Sequence, residues 1–407
     1  SGMIWIGTDG NGLFRFDKKN RAFKNYSTEN SGLQNNYILS MVKDDSQNLW
    51  LATWDGGLIR FNIREESFQS FTTQNSKIPD NKIYTVAKDR NDQIWLGSHY
   101  DGLIHFDPQN ASFTSINKIN TDLGENTVNV VKPDSQGKLF VGTTKGVVIY
   151  SPGSNRIEKF DTRNNEEVGI EQIEINDLEV ENDTSIWAGT LMGLYHFNPA
   201  SGKTSRFTTN DGLPADIINA LEFDHSEFLW VTTSNGICRL NPDNMSVVVF
   251  NKNDGMQSNE FRPRSALLDS EGDLFIGGIN GFNIINPDKI ERNKNIPAIS
   301  LTGMDIFHIP VKPGEPGAPL KKVISETEKI VLNHDQSVLT FHFAVLDFIS
   351  PGKNQHAYML ENFDNDWTYC GNSRQATYTN LDPGEYVFRV KGANNDGIWN
   401  EQGASLK

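Results

Sequence analysis

The sequence predicts an all-β fold, a seven-bladed β-propeller of four-stranded blades followed by an immunoglobulin-like β-sandwich. An aromatic residue recurs at Trp5, Trp50, Trp95, Phe140, Trp187, Trp230 and Phe275, at intervals of 45, 45, 45, 47, 43 and 45 residues. A glycine stands six or seven residues after each one, at Gly12, Gly57, Gly102, Gly146, Gly193, Gly236 and Gly281. A period of about 40–50 residues carrying strand chemistry is the signature of radially repeated sheets. The sandwich is predicted by the segment beyond Asn286-Pro287, where the period stops and short strands of another kind begin.

The second repeat, Ile38 to Phe71, shows the anatomy of a blade. ILSMVKD is apolar and β-rich and reads as the innermost strand A; LWLAT is strand B; GLIRF alternates as strand C; FQSF is a short outer strand D. The B–C hairpin needs a residue at positive φ, which explains the recurring glycine. The strand-B aromatic fills the space between blades, where one ring buries roughly 150–250 Å². An acid stands five residues before each of six B strands, at Asp44, Asp89, Asp134, Glu181, Asp224 and Asp269. Bonds from its carboxylate to turn amides account for it as scaffold.

Two strands are missing from the count. The chain begins at strand B of repeat one, and NIINP of repeat seven runs into DKIERNKNIP with no strand D. The first and last blades are thus short, and open edges invite association. Either sequence upstream of Ser1 supplies the lost strand, the favoured expectation, or a strand near Ile299–Phe307 patches an edge. The expected organisation is a propeller over 1–292, a polar linker over 293–297 and the sandwich over 298–407. In the sandwich ISLTGMDIF, KIVL, SVLTFHFAVLDF, HAYMLENF, QATYTNL and GEYVFRVKGAN read as strands, and ASLK as the start of another, leaving the sheet unfinished.

A net charge of −15 argues against nucleic acid or an anionic membrane as partner. Cys238 and Cys370 lack metal-type spacing and read as two free thiols. The eight histidines form no ligand set, no glycine loop has phosphate-cradling form, and no cofactor or metal is expected.

IWIGTDGNGLFRFD, LWLATWDGGLIRFN and IWLGSHYDGLIHFD resemble the two-component-regulator propeller repeat. GMQSNEF before LFIGGINGFNIINP resembles the last blade of such proteins. The tail from Tyr358 to Trp399 resembles the three-tyrosine domain, with its signature on Tyr358, Tyr378 and Tyr386, the pair Asp366-Trp367, and Asp396 to Trp399. The resemblance implies the periplasmic sensor region of a hybrid two-component system of the kind that gut Bacteroidetes use to detect glycan fragments. It implies an oligosaccharide ligand, a homodimer in the full receptor, and a membrane helix and histidine kinase further along. Members of the family usually carry two propellers, so this chain reads as a fragment.

Subtracting the lattice isolates the candidate ligand residues. Trp5, Trp50, Trp95, Trp187 and Trp230 belong to the repeat; Trp367 and Trp399 belong to the sandwich. Trp54, on the hairpin tip of repeat two, has no structural slot. The hairpins of repeats one to three are one residue longer than the rest, and their tips carry Trp54 and Asp55, then His99, Tyr100 and Asp101. Aromatic faces beside carboxylates suit a pyranose, whose C–H bonds stack and whose hydroxyls bond to acids. Lys145 stands on the next tip, and Arg262 and Arg264 before repeat seven suit an anionic sugar or a partner. Asp55 and Asp101, on neighbouring blades, could also serve as the carboxylate pair that a propeller glycosidase or lyase would need, but nothing else in the sequence supports that reading. A pure protein-interaction scaffold is the third reading. No catalytic residue is assigned.

Overall fold

The computed structural model describes residues 2–160 and 169–407. It divides into two compact units, Ser1–Asp288 and Lys289–Lys407.

In the first unit the described residues form seven antiparallel sheets in sequence order. Sheet 1 has three strands (Met3–Gly7, Leu13–Asp17, Ala22–Tyr26). Sheets 2 to 6 have four each, over residues 38–71, 83–116, 128–159, 175–207 and 218–250. Sheet 7 has three (Phe261–Leu268, Leu274–Gly278, Gly281–Ile285). Ala298–Ile306, the candidate edge patch, pairs instead with Val338–Leu346 in the second unit.

The sheets close into a ring without a shared strand. Ile4 and Phe16 of sheet 1 pack on Phe275 of sheet 7, and the Phe16 and Phe282 rings meet edge-on at 5.4 Å. Lys18 reaches across this junction to Asp269, and to Glu271 and Asp273 at 2.9 Å each. Burial of the ammonium opposes its charge, but the three carboxylates outweigh it and hold Lys18 well above the usual lysine range.

The repeat residues do more than their spacing indicated. Five of the six acids before strand B bond turn amides, as expected, with Asp44 accepting from the Asn48 amide at 2.8 Å, whereas Glu181 accepts from Ser185 Oγ instead. The acid also accepts the indole N–H of the strand-B tryptophan: Trp50 donates to Asp44 at 3.0 Å, Trp95 to Asp89 at 2.9 Å, Trp187 to Glu181 at 3.1 Å and Trp230 to Asp224 at 2.9 Å. A buried indole donor is thereby satisfied. The cross-strand neighbour on strand C is Arg60, His105, His196 and Arg239 in turn, so two of the histidines belong to the lattice. At Gly57, φ is +71° and a Cβ would lie 2.1 Å from the Phe71 carbonyl oxygen at the end of strand D. Gly281 meets nothing within 4 Å, because sheet 7 has no strand D.

The second unit holds two four-stranded sheets. One orders Ile309–Pro310, Ala298–Ile306, Val338–Leu346 and Gln375–Thr379; the other Thr368–Gly371, Gln355–Glu361, Val387–Ala393 and Trp399–Leu406. Phe341, Phe343, Tyr378, Phe388 and Val390 fill the core, with Phe341 stacked on Phe388 at 4.3 Å. KIVL is no strand; Ile330 donates its amide to the Lys407 carbonyl, and Lys407 to that of Glu328. ASLK ends the strand Trp399–Leu406 rather than starting a new one. The stretch expected as a polar linker is anchored: Asn293 is buried and donates to Asp347 at 2.9 Å and Asn395 at 2.8 Å, while Asn394 donates to its carbonyl at 2.8 Å.

Candidate ligand-binding rim

The B–C hairpins of the first unit are stitched to the connections that lead into strand A, so both loop sets share one rim. Trp54 donates its amide to the Tyr37 carbonyl at 3.1 Å, and His99 to that of Lys82 at 3.0 Å. Asp80 accepts from the Lys82 amide at 2.9 Å and the Tyr100 amide at 2.8 Å, which pins the connection before sheet 3 to the His99 hairpin.

Across sheets 2 and 3 this stitching gathers four rings. Trp54 stacks on Tyr84 with centroids 5.5 Å apart and planes at 22°; His99 lies 6.0 Å from Trp54, 5.3 Å from Tyr84 and 4.2 Å from Tyr100. The Lys82 ammonium sits 4.9 Å from the Trp54 centroid and 5.2 Å from that of Tyr100. The cluster is not sealed: Trp54 keeps 37% of its surface exposed and Tyr100 60%. His99 Nδ1 is buried and has no hydrogen-bond partner among the described residues.

The other sequence candidates separate from this cluster. Asp101 accepts from Ser115 Oγ and from Asn117 Nδ2 (3.0 Å), so its carboxylate braces its own blade. Asp55 is exposed at φ +71°. Lys145 pairs with Glu125 at 3.2 Å, which neutralises its charge. Arg262 is exposed on a bulge of strand Phe261–Leu268, where register is lost between Phe261 and Ala266. On the same bulge Arg264 takes φ +54°, a strained conformation for a side-chain-bearing residue, and bonds through Nη1 to the Asn129 carbonyl of sheet 4. Its Nε is buried without a partner among the described residues, and its charge acts on Asp177, Tyr84 and Glu174. Tyr84 therefore links the exposed rings to the inner strands.

Those inner strands carry an ionisable cluster that spacing did not reveal. Lys132 pairs with Glu179 at 2.6 Å while keeping a third of its side chain exposed. Burial opposes its charge, but Glu179, Asp177 and Glu222 hold its pKa above the usual range. Burial pushes Asp177 up to about 6 against the pull of Lys132. Glu222 rises to about 7, through burial first and then repulsion from Glu179 and Asp177.

Lys82 and Tyr84 escape a reading of the sequence because one lies on a connection and the other on a lattice strand. Only the fold brings them under Trp54.

Sequence and structure comparisons agree on the kind of protein. Residues 32–55 and 77–100 match the two component regulator propeller, and residues 347–407 match the Y_Y_Y domain. Histidine kinase P4 of Formosa agariphila is 35% identical over 145 residues, which cover 36% of this chain and 10% of that protein. The extracellular domain of the hybrid two component system BT3049 of B. thetaiotaomicron superimposes with a TM-score of 0.81 at 27% identity, over 100% of this chain and 53% of that one. That of BT4673 from the same organism gives 0.58 at 23% identity, over 100% and 55%, and speaks to fold alone. The chain thus spans about half the length of these solved relatives, and among its described residues no helix is long and apolar enough to cross a membrane. With these matches at both ends, the chain carries two-component-regulator propeller repeats and a Y_Y_Y domain, and is similar to extracellular domains of hybrid two-component systems.

Proposed function

We propose that this chain is the periplasmic sensor part of a hybrid two-component regulator, and that it binds an oligosaccharide on the rim of the first unit. The seven sheets are read as the blades of one propeller, closed by the packing of sheet 1 on sheet 7. The second unit is read as an immunoglobulin-like sandwich. Tyr386 supports this, since its hydroxyl donates to the Asp382 carbonyl at 2.9 Å just before strand Val387–Ala393, as a tyrosine corner does. Occupancy of the rim passes through the sandwich to a histidine kinase in the longer protein, working as a homodimer.

The observation that carries the reading is the open cluster of Trp54, Tyr84, His99 and Tyr100, which the repeat lattice does not need. Exposed rings with polar groups at their margin suit a sugar face. A binding role is favoured over hydrolysis because Asp101, half of the carboxylate pair on neighbouring hairpins, is committed to Ser115 and Asn117.

A thermal-shift screen against a glycan library tests the reading. A ligand at a hundredfold excess over its Kd stabilises by about 2.7 kcal/mol, a shift of several degrees for a unit of this size. Stabilisation by an oligosaccharide that emerges unchanged supports the sensor. Cleavage of a polysaccharide with no stabilising glycan contradicts it.

A further inference from the structure

The rim carries positive charge in a protein of net charge −15. Lys82 lies over two exposed rings, and among the described residues no carboxylate stands within ion-pair distance of its ammonium. The nearby acid, Asp80, is turned to backbone amides of Lys82 and Tyr100. Arg264 lies apart from these rings, held in a strained bulge with Nη1 bonded to the Asn129 carbonyl and Nε buried. Three other lysines of the first unit are neutralised: Lys18 faces three acids, Lys88 two, and Lys145 pairs with Glu125. Lys82 is left without an ion-pair partner beside two rings that are also left open.

Resting on the sensor reading above, we infer that the rim takes an acidic oligosaccharide, whose carboxylate or sulfate ester pairs with Lys82 while a sugar face lies on Trp54 and Tyr100. A neutral glycan would stack as well, but its hydroxyls accept a weaker bond from the ammonium than an anion does, and leave its charge without a counter-charge. The surrounding negative charge sharpens the choice, because an anion is repelled everywhere except where a local cation is exposed.

The test is calorimetric titration of the whole chain, at low and at physiological salt. The probes are oligogalacturonates, oligoalginates and chondroitin sulfate oligosaccharides, each beside its carboxyl-reduced or desulfated counterpart, together with neutral oligosaccharides. Loss of a charge-assisted hydrogen bond weakens binding by about 10- to 100-fold. The expected result is that an acidic member binds and weakens with salt, and its neutralised counterpart and Lys82→Gln each lose at least about tenfold, with Lys82→Arg restoring most of the affinity. Carboxyl-reduced and desulfated forms separate the two sources of charge. A neutral oligosaccharide bound as tightly as any acidic one overturns the inference and leaves the sensor reading standing. Acidic binding indifferent to Lys82→Gln overturns the assigned contact. If no glycan of either kind binds, both readings fall.

Discussion

Replacing Lys18 with alanine removes the ammonium that faces Asp269, Glu271 and Asp273 across the junction of sheets 1 and 7. Only 13% of that side chain is exposed, as are 11% of Asp269 and 23% of Asp273, so water replaces the lost charge poorly. Without it, three carboxylates whose oxygens lie within 4.8 Å of one another face each other. Two unit charges at such a separation repel by about 3–4 kcal/mol at an effective dielectric of 20. Glu271, 63% exposed, turns away into water and leaves the Asp269–Asp273 repulsion, which hydration of the gap reduces. The expected loss is about 2–3 kcal/mol of unfolding free energy, or a fall of roughly 5–10 °C in Tm. Urea unfolding followed by tryptophan fluorescence measures it, with Lys24→Ala as control, since Lys24 pairs with a partly exposed Glu66. Millimolar calcium restores part of the loss in Lys18→Ala by replacing the missing charge, and leaves the parent protein unmoved. A Lys18→Ala loss no larger than that of Lys24→Ala, with no response to calcium, refutes closure by this clasp.

The same geometry sets three further outcomes. Gly57→Ala and Gly281→Ala each place a side chain at positive φ for about 1–2 kcal/mol, but Gly57→Ala also drives a Cβ into the Phe71 carbonyl and costs at least about 2 kcal/mol more, measured by denaturant midpoint. Asp177 and Glu222 have folded pKa values raised to about 6 and about 7, so the native state holds their protons more tightly than the unfolded chain. The stability they contribute is fully present below about pH 4 and is lost as pH rises through those values, about 2–3 kcal/mol for Asp177 alone. Asp177→Asn with Glu222→Gln flattens the fall in unfolding free energy between about pH 5 and 8, and an unchanged slope contradicts the assignment. Cys238, fully buried with its thiol pushed up to about 12, stays inert to thiol reagents until unfolding, while Cys370, partly exposed, reacts slowly in the folded protein.

The repeat is legible in the sequence because strand patterning, turn acids and hairpin glycines act within a few residues of one another. Even there only half of each role is visible. The acids at Asp44, Asp89, Glu181 and Asp224 announce themselves as turn formers, whereas their bonds to the indoles depend on a ring six residues away folding back. Trp54, His99 and Tyr100 stand out as departures from the lattice, and the structure brings them together. Lys82 and Tyr84 do not stand out, since nothing local distinguishes a loop lysine or a strand tyrosine from its neighbours. Asp101 misleads because loop acids look alike until their partners, Ser115 and Asn117, are seen. Arg264 is conspicuous for its charge, but its inward turn rests on a bulge that residue types alone do not announce. The linker over 293–297 looks polar and free, yet Asn293 is polar because it is bonded on several sides.

The central claim is that the open ring cluster at Trp54 receives a sugar. Calorimetric titration of the best-binding oligosaccharide into the parent protein and into Trp54→Ala, with the fold of each checked by its unfolding midpoint, tests it most directly. Truncating an aromatic anchor in a binding site costs about 2 kcal/mol or more, so affinity is expected to fall at least about tenfold. An affinity unchanged in a fully folded Trp54→Ala protein contradicts the claim and moves the ligand away from this rim.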